Sequence, residues 1–221
     1  EEHRKSRTLT WSPDGSLIAT GGNDGEVLLW DADSLQIRHR FQDHDATIRQ
    51  IMFLDEDRTL LTVSNASSVC LRDLTQKDRV VHNWNEEFDV YSVALLPDGD
   101  TVALGQMQGV ISLRSRSTGK SIGSLTGHEK GVCSMALSPD GKVLATGDEG
   151  GWIRLWRTEN HQPLTSIRVG EQKLNSLAFS PQGDALAIAT HDGKVTLWQA
   201  PFLNQGLIFR NDRVESIPHS H

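Results

Sequence analysis

The chain has 221 residues, with 22 Lys and Arg against 29 Asp and Glu and a formal net charge of −7. Its length suits one large domain or two small ones with a sizeable core, and its acidic balance disfavours nucleic acid or an anionic membrane as a general partner. No apolar run approaches the roughly 20 residues that span a bilayer. The two cysteines, Cys70 and Cys133, and nine scattered His form no disulfide framework and no zinc spacing. No metal, no cofactor and no membrane contact are therefore expected. The chain starts at Glu1 without an initiator Met or a signal peptide, so a fragment or processed form is expected, in the cytoplasm.

In chain order, one pattern returns. "SPDG" begins at Ser12, "LPDG" at Leu96, "SPDG" again at Ser138 and "SPQG" at Ser180. The prolines Pro13, Pro97, Pro139 and Pro181 stand 84, 42 and 42 residues apart. The missing member falls on Asp55 in "FLDEDRTLLTV", so the period is 42 throughout. Each period reads as four short strands, which places repeats at about 7–41, 48–84, 90–126, 132–168 and 174–210. In the fourth, "GVCSMALS" runs into the turn "PDG", "KVLATG" into the turn "DEGG", and "WIRLWR" through "TENHQ" into "PLTSIRV". Many positions on both strand faces are apolar or small, as in sheets covered on both sides. No segment of 10 residues carries a helical period.

Other columns keep the register. Leu29, Leu71, Leu113, Leu155 and Leu197 form one without exception. Trp30, Trp156 and Trp198 share another, with Arg72 and Arg114 in the remaining places. Gly25, Gly109, Gly151 and Gly193 share a third, with Ser67 as the exception. The loop "TGGNDGE" (Thr20–Glu26) could suggest a phosphate or calcium site. Its relatives "TVSNASS", "LGQMQGV", "TGDEGGW" and "IATHDGK" do not keep its charges, so it reads as a β-turn with Gly25 at φ > 0.

Four strands per unit of about 40 residues, with "LW" closing the third strand, resemble the WD40-repeat family over residues 7–210. The best copies are Gly127–Arg157 and Trp11–Asp31. The resemblance implies an all-β fold, a single β-propeller domain over 1–221 built of four-stranded antiparallel blades, here five 42-residue repeats. It also implies a buried hydrogen-bond chain in each blade: a His before the first strand, a Ser or Thr on the second, an Asp in the next turn, and the Trp. The first copy offers Thr20, Asp24 and Trp30, with Glu2 in the His place. The second offers His44 and Thr62, with Ala66 and Arg72 elsewhere. The third offers none. The fourth offers His128, Thr146 and Trp156, with Gly150 in the Asp place, and the fifth offers Asp192 and Trp198. No copy is complete on this reading.

Family rings more often have seven blades. Residues 211–221 contain "RVESI" (Arg213–Ile217), which resembles the first-strand openings "GVCSM" and "DVYSV" before Pro218. These residues are read as a tail or as the start of a sixth blade. Either five blades belong to a larger propeller or the ring closes at five. In the first case the flanks of the first and fifth blades are exposed apolar faces, and self-association or poor solubility is expected.

No GxSxG, P-loop or kinase pattern is present, and no catalytic residue is assigned. "STGKS" at Ser117–Ser121 has Arg114 where a P-loop needs Gly. The resemblance implies a non-catalytic scaffold that binds a partner protein or peptide on one rim, within a larger regulatory or signalling protein with further domains upstream. A propeller hydrolase with a site in the central channel is the alternative. The implied rim residues are Lys5, Arg7, Asn23, Arg49, Asn65, Asp89, Tyr91, Met107, Glu149, Lys173, Asn175 and His191. Lys5, Arg7, Arg49 and Lys173 point to an acidic peptide, with Tyr91 and Met107 as an apolar anchor.

Overall fold

The computed structural model describes residues 6–54, 58–76 and 79–199, and all their regular structure is β. The first sheet holds β1 (Ser6–Trp11), β2 (Leu17–Gly22), β3 (Glu26–Asp31) and β4 (Ile37–Gln42). The second holds β5 (Ile48–Leu54), β6 (Thr59–Ser64), β7 (Ser68–Asp73) and β8 (Arg79–Asn85). The third holds β9 (Val90–Leu95), β10 (Thr101–Gln106), β11 (Ile111–Ser115) and β12 (Ser121–Leu125). The fourth holds β13 (Val132–Leu137), β14 (Val143–Asp148), β15 (Trp152–Arg157) and β16 (Pro163–Arg168). The fifth holds β17 (Leu174–Phe179), β18 (Ala185–Thr190) and β19 (Val195–Gln199).

Every sheet is an antiparallel meander in sequence order. The all-β, blade-like architecture expected from the 42-residue period is what the structure has. The fourth strand expected near "GLIFR" and the reading of 211–221 lie outside the described residues, as does Lys5. The chain divides into two compact units. One spans 1–90 together with 116–120, and the other spans 91–115 together with 121–221.

The first turns of the first, third, fourth and fifth sheets are each built from their own sequence. Gly15 N–H donates to Ser12 O, Ser12 Oγ donates to Asp14, and Leu17 N–H donates back to Ser12 Oγ at 2.8 Å. Ser138 repeats this with Asp140 and Val143, and Ser180 does so with Asp184 and Ala185. The third sheet has Leu96 in the Ser place. There Asp98 accepts the N–H groups of Asp100 and Thr101 and the Thr101 hydroxyl. The glycine closing these four turns is left-handed, as at Gly15 (φ 75).

Sheets pack face to face through two columns of the third strand and two of the next first strand. In the first unit Val27 and Leu29 share a core with Ile51 and Phe53. In the second, Ile111 and Leu113 share one with Met135 and Leu137, and Ile153 and Leu155 share one with Leu177 and Phe179. Small residues permit the approach. A Cβ added to Gly147 would sit 2.7 Å from Leu174 Cδ1. Hydroxyls stitch the second unit as well, with Ser92 Oγ donating to Val132 O and Leu177 N–H donating to Ser134 Oγ.

Candidate functional site

Two sets of side chains carry the polar chemistry of these sheets: the rim columns and the buried chains around His44 and His128. The rim columns meet because of the strand register. In the second, fourth and fifth sheets the residue before the first strand and the residue in the second turn extend the same ladder. Asn65 N–H donates to Thr47 O, Glu149 N–H to Gly131 O, and His191 N–H to Lys173 O. The second turns of the first, third and fourth sheets also touch the pre-strand residue of the next sheet. Thr47 Oγ1 donates to Asn23 O, and Lys173 Nζ lies 2.6 Å from Glu149 Oε1. A Cβ on Gly131 would lie 3.1 Å from Met107 O. These pairs are 24 residues apart in every case, so the columns form one surface within each unit.

In the second unit this surface has a defined cluster. Lys173 Nζ is held by Glu149 and lies 5.6 Å from the centre of the Tyr91 ring. Gly131 packs against the same ring, and Met107 is exposed beside it in sequence register. Cys133 Sγ donates to Leu174 O at 2.7 Å, and burial pushes its thiol up to about 11 against the pull of Lys173. The half-exposed cation Lys173 is thus already partnered, which sequence reasoning did not foresee. Asn175 and His191 are exposed. In the first unit Arg7 and Asn23 are exposed, while Arg49 and Asn65 are half-buried. Asp89 accepts a hydrogen bond from Ser67 Oγ at 3.2 Å.

The buried chain is complete in the fourth sheet. Trp156 Nε1 donates to Thr146 Oγ1 at 2.9 Å, which lies 2.7 Å from His128 Nε2. His128 Nδ1 lies 2.7 Å from Asp148 Oδ2. An ionised carboxylate only accepts, so the imidazole proton sits on Nδ1. Burial would raise the pKa of Asp148. Hydrogen bonds from His128 and from the N–H groups of Trp152 and Gly150 reverse this and hold it below the usual carboxylate value. The sequence places no carboxylate here, because the expected position is Gly150. Asp148, two residues earlier at the end of β14, reaches the same imidazole, so this copy has all four members. The signal was a second acidic residue within side-chain reach of the turn.

The second sheet differs. His44 Nε2 lies 2.8 Å from Thr62 Oγ1, but its Nδ1 meets Ser68 Oγ at 3.0 Å rather than a carboxylate. Ser64 stands in the Asp148 place and Ala66 in the turn place. Beside them opens a pocket of about 530 Å³ lined by His44, Asp45, Ser64, Ala66, Ser68 and Asn83, among others. Arg72, in the Trp column, pairs with Asp43 and stacks 4.3 Å over Phe41. Burial lowers the His44 pKa, while Asp43 and Asp45 oppose the shift.

The other expected members stay within their own sheets. Trp30 Nε1 donates to Thr20 Oγ1 at 2.9 Å. Asp24 is exposed, and its carboxylate caps the Glu26 N–H across the turn. Asp192 accepts the Thr190 hydroxyl, which with Lys194 draws its pKa down to about 2. Trp198 is buried in the core of the fourth and fifth sheets. Among the described residues no three His, Cys, Asp or Glu side chains come together as metal ligands, and no helix is long and apolar enough to cross a membrane.

Comparison with known proteins agrees with this geometry. "Small ribosomal subunit protein RACK1" of Neurospora crassa is 30% identical over 112 residues, 47% of this chain and 35% of its own length. "MST50-interacting protein 11" of Pyricularia oryzae is 33% identical over 113 residues, 47% of this chain and 35% of its own. "Periodic tryptophan protein 2 homolog" of Caenorhabditis elegans is 29% identical over 131 residues, 57% of this chain and 14% of its own. The chain thus spans about a third or less of these relatives. A chain of the "Crystal Structure of Mitotic Checkpoint Complex" superposes with a TM-score of 0.84 at 20% identity, covering 97% of this chain and 67% of that one. The family model described as IFT122 first beta-propeller matches residues 1–213, and the chain accordingly belongs to that family of WD-repeat β-propellers.

Proposed function

We propose that the chain is a non-catalytic protein-interaction scaffold and that a partner protein or peptide docks on its rim. The observation that carries this reading is the Tyr91, Lys173 and Glu149 cluster, with Met107 exposed in the neighbouring column. Three successive sheets contribute an aromatic face, a cation and a carboxylate to one surface. Such a surface takes a side chain that is apolar in body and charged at its end. The names of its relatives support the class, since one is named an interacting protein and one a small ribosomal subunit protein.

The acidic-peptide reading changes shape. Lys173 already has its carboxylate in Glu149, so in this unit a partner's acid must displace Glu149. Arg7 and Arg49 in the first unit carry the remaining basic character. The test is fluorescence anisotropy with a labelled acidic peptide that contains one aromatic residue. Tyr91→Ala with Lys173→Ala is expected to weaken binding at least about tenfold, and Arg7→Ala with Arg49→Ala to reduce its salt dependence. Affinity unchanged in both double variants would overturn the rim as the docking site.

A further inference from the structure

The pocket beside His44 is lined by the counterparts of every group that holds Asp148 in the fourth sheet. The Asp148 carboxylate meets His128 Nδ1 at 2.7 Å and the N–H groups of Gly150 and Trp152 at 2.8 and 2.9 Å. Two periods of 42 earlier, His128, Asp148, Gly150 and Trp152 become His44, Ser64, Ala66 and Ser68. All four line the pocket. Ser67 at φ 63 stands where Gly151 has φ 80, so the left-handed turn that presents the two N–H groups is kept.

The second sheet lacks only the carboxylate itself. Ser64 Oγ accepts the Ala66 N–H at 3.3 Å, and His44 Nδ1 has the Ser68 hydroxyl at 3.0 Å. Both contacts are longer than their counterparts at Asp148, and both are neutral. Hydrogen bonds to an ionised carboxylate are shorter and roughly twice as strong. The approach also differs. Ser68 is small where the fourth sheet has Trp152. Asn83 and Asn85 give the pocket exposed amides where that sheet has Ile167 and Val169 packed on its core. The nearby acids do not bar another. Asp43 is paired with Arg72, and Asp45 is exposed, as is Glu129 in the same place of the fourth sheet.

We propose that this pocket binds a carboxylate, which takes the place that Asp148 fills in the fourth sheet and accepts from His44 Nδ1 and from the N–H groups of Ala66 and Ser68. Thr62 Oγ1 then donates to His44 Nε2, and the Ser68 hydroxyl turns away from Nδ1. The carboxylate is that of a small free acid or of an Asp side chain on a peptide. The site does not depend on the Tyr91 cluster, whose residues belong to the other unit.

Nuclear magnetic resonance of the imidazole nitrogens tests this on the full chain. Sodium acetate is titrated against sodium chloride at equal ionic strength. His44 is expected to shift saturably with acetate and not with chloride. His128, whose place is filled, is expected not to respond. Ser64→Asp fills the place from within and is expected to weaken the His44 response to acetate at least about tenfold. The His128 signal reports that this variant stays folded. A capped tripeptide with one central Asp, and the same peptide with Asn, separate the two sources. The Asp peptide binding at least about tenfold tighter than acetate assigns the carboxylate to a partner chain, and binding no tighter assigns it to a small free acid. No saturable shift at His44 with either acetate or the Asp peptide would overturn the proposal. So would an equal response from His128, from the Asn peptide or from Ser64→Asp.

Discussion

The second and fourth sheets carry the same His and Thr in the same register and differ in what holds the imidazole. In the fourth, His128 lies between Thr146 and a buried carboxylate, and Trp156 closes the chain. In the second, His44 lies between two hydroxyls beside a polar cavity, and an Arg–Asp pair occupies the outer ground. One sheet is tied by a charge-assisted network that loses several bonds together when one member goes. The other is held by neutral bonds, whose net value is individually about 1 kcal/mol.

The sharpest way to break the comparison is to remove each His. His128→Ala leaves the Asp148 carboxylate buried without its imidazole and is expected to cost about 3–4 kcal/mol. His44→Ala leaves only hydroxyls, which water in the cavity can serve, and is expected to cost about half as much. Chemical denaturation followed by Trp fluorescence measures both, and equal losses would erase the distinction.

The turn column comes next. Gly151 has φ +80, and an added Cβ would overlap the Gly170 carbonyl. Gly151→Ser is expected to cost about 2–3 kcal/mol. Ser67, in the same column of the second sheet, already has φ 63 and a bond to Asp89, so Ser67→Gly is expected to shift stability by less than about 1 kcal/mol.

Acid separates the two sheets with a smaller effect. The folded His44 pKa lies below the ordinary value of 6.5, so the unfolded chain takes up that proton first. Stability is expected to fall below pH 6.5 at up to about 1.4 kcal/mol per pH unit, until the folded pKa is reached. Asp148 has a pKa below 3.8, so its contribution persists down to that value and is lost only as pH falls through its folded pKa. Protection from hydrogen exchange, taken relative to the intrinsic rate at each pH, is expected to fall in β6 before β14 between pH 7 and 5. The smallest effect is the sharpening one. Ser64→Asp puts a carboxylate in the Asp148 place, with room in the cavity. It is expected to gain about 1 kcal/mol and to flatten the acid slope, which denaturation at pH 7 and pH 5.5 reads directly.

Much of the fold is readable from residues alone, because periodicity reports burial. The Leu column from Leu29 to Leu155 is buried throughout, and the Ser–Pro–Asp–Gly strings close the turns they spell. The polar contacts are less readable, because a period fixes the position of a Cα and leaves the reach of a side chain open. Asp148 serves the imidazole from two residues before the expected place, while Asp24 stands in that place and caps its own turn. Lys173 reads from its column as a docking cation, and Glu149, 24 residues back and one sheet away, partners it. Such pairs depend on which side chains are long enough to cross from one sheet to the next.

The first turns have one more consequence. All the hydrogen bonds around Ser12, Ser138 and Ser180 close within six residues, and each sheet pairs only strands that follow one another. A hairpin can therefore form as soon as its own residues have left the ribosome, without waiting for distant chain. Loop-closure entropy is small for such contacts. Folding of this chain is expected to start at several places at once and to spread sheet by sheet, in the manner of stacked repeats.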